Sequence, residues 1–534
     1  MNCRQLKEVA DDLFKKKGSL NSLHQELALN FYVERADFTT SFSLGDEFAS
    51  HLMSSYPLRV RRDMGNQVGT MLRPTAKEWF HPGIRYSEKV DNETKSYLEW
   101  FGETQRRAMY DPRAQLARAA KAADHDFVTF GNAAVSVEMN RHGDGLLYRC
   151  WHLRDMAWQE NEEGQIGAKF RKWKTTAQTG ARVFKNASEK LKRVAEKTPF
   201  EEVTFLHMVV DADMYDGDAR GRPRWSIWYD CEHDTELEAI PIWGRYYVIP
   251  RWNAFASQYG SSPAAVCALP DARLLQAMTF TLLEAGEKAT TPPMIATQGV
   301  VRGDLALYAG GVTWVDQDYD ERLGNALRPL EQDLSGMQYG LQMNADTRLM
   351  LHDAFFLNAL TLPQRAPEMT AYEVGQRVQE YIRNALPLFE PMEDEYNSAL
   401  CDETFDLMWR NGAFGSPESW PKTLRGAEIA FTFESPLHDA IEQMKVHKFQ
   451  TAGQLIAAAV ALDPSTASLP KAELMLREAL MGAGCPATWV NSEAYVADAK
   501  RQQEAQAQQQ QLLANLQAGS EVVKNVGSVA PAAA

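Results

Sequence analysis

The sequence predicts an α+β fold, and three features of its hydrophobic pattern point there. Helical periodicity fills the chain up to Tyr110, and alternation of period two takes over from Phe127. Near the middle, two helices with apolar stripes bracket a short β-rich stretch. The 534 residues suit three or four folding units, and 45% hydrophobic with 24% charged residues is ordinary for a protein with real cores.

RQLKEVADDLFKKK should form a helix stopped by a left-handed Gly18, with Asn21 or Ser22 capping the next one to about Glu34. DNETKSYLEWFGETQRRAMY places Tyr97, Trp100 and Phe101 on one helical face. FVTFGNAAVSVEMN, GLLYRCWHL and AKFRKWKTT alternate as strands. FLHMVVDADMYDGDARGRPRWSIWYD reads as two more around a turn, with Asp216-Gly217 at its tip. Residues 1–265 therefore read as one α+β unit.

Pro270 and Asp271 open a helix, 266–290, that stacks Leu274, Met278 and Leu282 until Thr291-Pro292-Pro293 stops it. MIATQGVV, LALYAGG and VTWV form short β pieces within 291–328, turning at Gly310-Gly311. A second helix, 329–353, carries Leu330, Leu334, Met337, Leu341 and Ala345. LNALTLPQRAPEM makes a Pro-interrupted loop, 354–369. Thr370 and Glu373 then box a long helix through Val374, Val378, Tyr381 and Ile382. Pro387 and Pro391 kink that helix, which resumes through Leu400, Phe405 and Met408 to Asn411-Gly412. AEIAFTFESP alternates as a strand, completing 370–440. Residues 437–482 read as two helices broken at Asp463-Pro464 and restarted at Pro470. The Gln/Ala-rich tail, 501–534, is expected to be disordered at its end.

The formal net charge is −15, whereas proteins that grip nucleic acid carry basic faces that neutralise phosphates. This balance disfavours a grip but not the sliding of DNA past a surface. The six cysteines form no CxxC pair and fit a reducing compartment. MNCRQLKEVADDLF has no apolar core of a signal peptide, and no apolar run is long enough to span a membrane. GxxxxGK[ST], HExxH and GxSxG are missing, so no enzyme activity and no cofactor are expected. His142 and His152 flank Cys150, where strand packing outweighs a metal site. Asp211, Asp213, Asp216 and Asp218 resemble a calcium loop, but Asp216 and Arg222 stand where glycine and glutamate are needed. Asp316, Asp318 and Asp320 fail in the same way, with Glu321 and Leu327 at those positions. No metal site is expected. The basic stretch Arg171, Lys172, Lys174, Lys190, Lys192 and Arg193 reads either as a docking patch or, by about two to one, as a solvated face.

Several segments resemble the head-to-tail connector, or portal, family of short-tailed phages. FVTFGNAAVSVE is similar to a strand segment of that family. IPIWGRYYVIPRWNAFASQYGSSPAAVCALPDARLLQ is similar to the stretch leading into its first stem helix. MTAYEVGQRVQEYIRNALPLFEPMEDEYNSALCDETFDLMWRNG is similar to its long helix. The resemblance spans about 20–480, in the right order. It implies a ring of about twelve subunits at one capsid vertex, a conduit for packaging and ejecting double-stranded DNA. In that scheme 1–265 and 370–440 form the wing, 266–290 and 329–353 the stem, and 291–328 the clip. Residues 354–369 form the tunnel loop and 441–500 the crown. Tyr308, Trp314, Asp316, Asp318 and Asp320 would mark the clip seam and docking surface, and Asn358, Gln364 and Arg365 the channel loop. Expected partners are the terminase large subunit, major capsid and scaffolding proteins, tail adaptors and internal core or ejection proteins, with no membrane. The protein would be assembled in the host cytoplasm and end in the virion. Two other readings stay open: a metal-dependent nucleic-acid enzyme using the Asp clusters, and a structural adaptor with no channel.

Overall fold

The computed structural model describes residues 1–360, except 42, 44, 75–77, 86–91, 185, 255–256, 297–299 and many positions within 303–334. It also describes 392–433, most of 449–482 and scattered positions from 495 to 510. Two compact units form. One comprises Met1–Lys77 with Arg107–Asn411, the other Glu78–Arg106 with Gly412–Ala534. The stretch expected as one unit, 1–265, is therefore interrupted at 78–106.

Helices α1 (Cys3–Lys16) and α2 (Gly18–Phe31) follow each other with a one-residue joint. Asn2 and Gln5 complete a capping box on α1. Gly18 does not stop a helix but opens the second one. The reason is Lys17, only 2% exposed, whose ammonium donates to the Leu153 and Met156 carbonyls and lies 5.5 Å from the Trp158 ring. A tertiary anchor on Lys17 thus sets the joint that a left-handed glycine was expected to set. Burial pushes the Lys17 pKa down to about 7.

Next come α3 (Tyr56–Leu72), then β1 (Phe80–Ile84), α4 (Asn92–Met109) and α5 (Leu116–Phe130). Helices α3 and α5 pack closely because α3 carries Gly65. A Cβ there would lie 2.2 Å from Nδ1 of His125 on α5. Strands β2 (Val135–Met139), β3 (Leu146–Cys150), β4 (Met156–Glu160) and β5 (Ile166–Thr176) precede α6 (Ala177–Val183) and α7 (Glu189–Lys197). Then follow β6 (Glu202–Asp211), β7 (Arg224–Asp230), β8 (Thr235–Ile242) and β9 (Tyr247–Val248).

These strands make an antiparallel sheet of order β4-β5-β6-β7-β8 and a smaller one, β3-β2-β9. The expected hairpin is present, with Val210 opposite Trp225. Alternation along β6 divides its side chains cleanly. Leu206, Met208 and Val210 face the α1 stripe of Cys3, Leu6, Ala10 and Leu13, while Val203 and Phe205 pack with Phe184 and Leu191 beside α6 and α7.

The chain continues through α8 (Leu269–Thr290), β10 (Met294–Ala296), β11 (Val301–Arg302), β12 (Trp314–Val315), β13 (Leu327–Pro329), α9 (Met337–Ala354) and the short α10 (Leu357–Leu360). The second helix was expected from 329 but begins at Met337. Leu327–Pro329 is taken into a ladder with Met294–Ala296, so Leu330 never joins a helical stripe. The capping box at Thr370 and the kinks at Pro387 and Pro391 lie outside the described residues.

A π-helical turn, Glu393–Ser398, leads into α11 (Ala399–Arg410), which buries Leu400, Phe405 and Met408 as their spacing requires. In the second unit β1 pairs with β14 (Ile429–Phe433). There α4 buries Leu98 and Phe101, the latter 5.0 Å from both Phe414 and Trp420, whereas Trp100 of the expected aromatic face is exposed. Helix α12 (Ala472–Gly482) follows a helical stretch at 449–459.

Arg73, at the end of α3, pairs with Asp124 of α5, donates to Asn397 at 2.9 Å and lies 4.4 Å from the Tyr396 ring. Both members of the ion pair are buried. Arg73→Met should therefore cost about 3–5 kcal/mol by stranding Asp124, and Arg73→Met with Asp124→Leu should cost much less. Denaturant unfolding of the two variants checks this. Burial holds His24 and His207 well below the usual 6.5, and burial with Arg61 pushes His125 to about 4. The unfolded chain then binds more protons than the folded one below about pH 6.5, so stability present above that pH is lost as pH falls. The thermal midpoint should drop from about pH 7 to pH 5, with a shallower slope in His125→Gln. A midpoint flat across that window would contradict the assignment.

Candidate stem and clip element

The root of α8 is built from buried polar groups. The Ser262 hydroxyl donates to the Thr129 carbonyl at 2.7 Å and accepts from the Ala265 amide at 3.1 Å. Pro263 then leads into a π-helical turn, Ala264–Ala268, before Pro270 in the first turn of α8. Beyond the root, Ala272 and Leu275 are buried, and the expected stripe residue Leu274 is exposed. Three ties bind α8 and α9 to α2, to the loop before α3 and to the start of α3. Gln276 Oε1 accepts the Met53 and Ser54 amides at 2.8 Å, and its Nε2 donates to the Ser54 carbonyl. Arg273 pairs with Glu26, and Arg348 of α9 lies 5.6 Å from the Tyr56 ring.

Helices α8 and α9 run antiparallel, since Thr279 meets Asn344, Leu282 meets Gly340 and Gly286 meets Met337. A Cβ at Gly340 would lie 2.9 Å from Leu282, so glycine permits the approach. Helix α9 ends at its own root, where Leu351 and Phe355 are buried and Phe355 meets Phe31 at 5.5 Å. Between the roots the apolar side chains are not covered. Phe280 and Leu283 on α8, and Tyr339, Leu341, Leu349 and Met350 on α9, are all exposed.

The β module between the helices consists of two short ladders, β10 with β13 and β11 with β12. Its described apolar side chains are open to solvent: Met294, Ile295 and Val315 are exposed, and Trp314 is 74% exposed. Tyr308 lies outside the described residues. Asp316 accepts the Asp318 amide at 3.5 Å and Asp320 the Arg322 amide at 3.0 Å. They do not converge on a point. Among the described residues no group of three or more His, Cys, Asp or Glu side chains could hold a metal ion. In the other acidic cluster, Asp211 pairs with Arg224, Asp216 with the N-terminal ammonium, and Asp218 accepts the Arg220 amide. His152 bonds Asp37, while Cys150 lies beside Arg35 and Asp126 and His142 is exposed.

The basic stretch does not act as one patch. Arg171 is 4% exposed, stacked 3.8 Å from the Trp151 ring and donating to the Tyr247 hydroxyl at 2.8 Å. Lys172 pairs with Asp11. Lys174, Lys190, Lys192 and Arg193 are exposed. Asn358 sits on α10, bonded to Asp353, and Gln364 and Arg365 lie outside the described residues. The residues that sequence reasoning missed are Gln276, Arg273 and Arg348. They are polar positions on an apolar helix pair, and only their tertiary partners distinguish them from solvated side chains.

No helix among the described residues is long and apolar enough to cross a membrane. Residues 4–490 match the model of a family described as bacteriophage head to tail connecting protein. Over 415 residues the chain is 21% identical to a probable portal protein of Bordetella phage BPP-1, covering 76% of this chain and 73% of that one. Over 328 residues it is 22% identical to a portal protein of Salmonella phage epsilon15, covering 58% of this chain and 57% of that relative. It thus spans little more than half the length of the second relative. A solved structure of the neck of a native gene transfer agent particle, computed with C12 symmetry, aligns over 75% of this chain and 90% of that chain. Identity is 12% and the TM-score 0.35. A virion of the native particle aligns over 75% and 86%, at 12% identity and a TM-score of 0.37. The family match covers most of the chain, and the chain belongs to the bacteriophage head to tail connecting proteins.

Proposed function

We propose that this chain is the portal subunit of a tailed phage, about twelve copies forming a ring at one capsid vertex. Double-stranded DNA would pass through that ring during packaging and ejection. The observation that carries the reading is the rooted helix pair. A stem anchored at its base, with apolar flanks open along its length, is unfavourable for an isolated chain and natural for a ring. The role is structural and not enzymatic, in keeping with the family. The β module at the far end of the stem would be the clip, docking the terminase large subunit and later the tail adaptors. The α+β wing would meet major capsid and scaffolding proteins. Internal core or ejection proteins would sit on the crown at 441–500. The tunnel loop at 354–369, with Asn358, Gln364 and Arg365, would line the channel. Assembly would take place in the host cytoplasm and the ring would end in the virion.

Native mass spectrometry of the purified 60.1 kDa chain should show a species near roughly 720 kDa, and negative-stain images a ring with a central hole. Only monomer or dimer at micromolar concentration would refute the ring. Trp314, 74% exposed, and Tyr308 would find partners in the clip of the adjacent copy. Trp314→Asp should then cost about 2 kcal/mol or more per seam, leaving the ring intact but its narrow end frayed. Particles carrying Trp314→Asp should incorporate the ring yet fail to package DNA or attach tails. Normal packaging by those particles would remove 291–328 as the docking clip.

A further inference from the structure

Two features singled out in the sequence remain unused, the basic stretch ending at Arg193 and the acidic turn from Asp211 to Asp218. The sheet register sets them at opposite ends of one sheet. Thr176 of β5 faces Glu202 at the start of β6, whereas Asp211 at its end faces Arg224, and Arg224 faces Ile242. The 10 residues of β6 separate the two ends by roughly 33 Å.

At the first end, the turn after α7 carries Phe200, 81% exposed. This turn is held in place, because the Ala177 amide donates to the Glu201 carbonyl at 2.8 Å and the Gln178 amide to the Pro199 carbonyl at 3.2 Å. The phenyl ring therefore projects from a backbone that is fixed in place. Lys174, Lys190, Lys192 and Arg193 are exposed nearby in the chain, and Glu201 and Glu202 flank the knob.

At the second end, β8, β2 and α11 enclose an open groove of about 650 Å³ with Ile240, Ile242, Trp243 and Leu407 in its wall. Ile240 and Trp243 are both more than 40% exposed. Arg410, held by Asp406 at 2.8 Å, lies 4.2 Å from the Trp243 ring, and Arg222 also lines the groove. The turn that ends at Arg222 exposes Asp213, Asp216 and Asp218.

We infer that in the ring the groove of each copy receives Phe200 of the neighbouring copy. The α7 cations would meet Asp213 and Asp218, and Glu201 and Glu202 would meet Arg222. Arg410 is held by Asp406, and Glu138, Glu403 and Asp406 also line the groove. The occupant is a second copy because this chain carries both halves of the contact, an aromatic knob beside exposed α7 cations and an apolar groove beside the exposed carboxylates of Asp213 and Asp218. Knob and groove at opposite ends of a sheet make a head-to-tail contact, which propagates from copy to copy and closes only as a ring. The inference rests on the ring proposed above.

The test uses the full chain with Phe200→Cys and Ile240→Cys together, oxidised after assembly and run on non-reducing gels. Each single variant controls for the natural cysteines. Bands at successive multiples of the chain mass, in the double variant alone, are expected. A ring of normal mass that yields only monomer bands, or only dimers, overturns the contact and leaves the ring standing. Failure of the unaltered chain to form a ring overturns both. Should the double variant not assemble, Phe200→Asp decides. A tenfold or greater rise in the concentration at which the ring dissociates supports the contact, and an unchanged value overturns it.

Discussion

Glu403, buried on α11, accepts the Tyr246 amide at 2.9 Å and also the Arg245 amide, and so holds a turn in which Tyr246 takes φ +60. A non-glycine residue in that region is strained unless the surroundings impose it, and a carboxylate satisfying two adjacent amides supplies the constraint. From this turn the chain enters β9, where the Tyr247 hydroxyl joins Arg171 to His207 across the two sheets. It then passes Gly260, whose amide donates to Asn132 Oδ1 at 2.8 Å, and reaches Ser262 and the root of α8. One line of satisfied buried polar groups therefore runs from α11 to the stem. Were any of these partners lost, a desolvated group would remain, at a cost of about 1–3 kcal/mol each.

A stem rooted in this way is firm at its base and exposed along its length. Fully burying a side chain such as Leu or Phe is worth about 1.5–3 kcal/mol, so the open residues Phe280, Leu283, Leu341 and Leu349 hold a large unspent driving force. The close helix approach at Gly340 lets the two helices pack as a pair that leaves these apolar side chains open. That packing matters for association, because helices already ordered lose little entropy when a second copy covers them.

Much of this was legible in the sequence, and the failures share a cause. Alternation located β6 and β7 with their turn, and the bracketing of a small β module by two helices was visible from apolar spacing and prolines. The spacing of Leu400, Phe405 and Met408 placed α11 in the core. What escaped were positions where a tertiary partner overrides local preference. Gly18 looked like a stop, but buried Lys17 needs the carbonyls of Leu153 and Met156 and carries the chain straight into α2. Leu330 looked like part of a helical stripe, but β10 captured the preceding residues. Arg171 looked like part of a surface patch, but its guanidinium is stacked under Trp151. Long-range partners such as Glu403 for the 245–246 amides leave no local signal.

The electrostatics of the stem bear on how a conduit can let DNA move. Every phosphate neutralised by a wall deepens the free-energy well at one register, and wells that recur along the path oppose sliding. On α8 and α9 the cations are already engaged: Arg273 with Glu26, Lys288 with Glu284 at 2.7 Å, and Arg348 against the Tyr56 ring. Their charge is turned toward the protein's own carboxylates and aromatic rings. With a formal net charge of −15 on each chain, a ring of such subunits would not attract the phosphate backbone overall. Were α8 and α9 to face the DNA, the ties that fasten them to α2 and α3 would also keep Arg273 and Arg348 from the phosphates, so that anchoring the helix pair and smoothing its surface would be one physical arrangement.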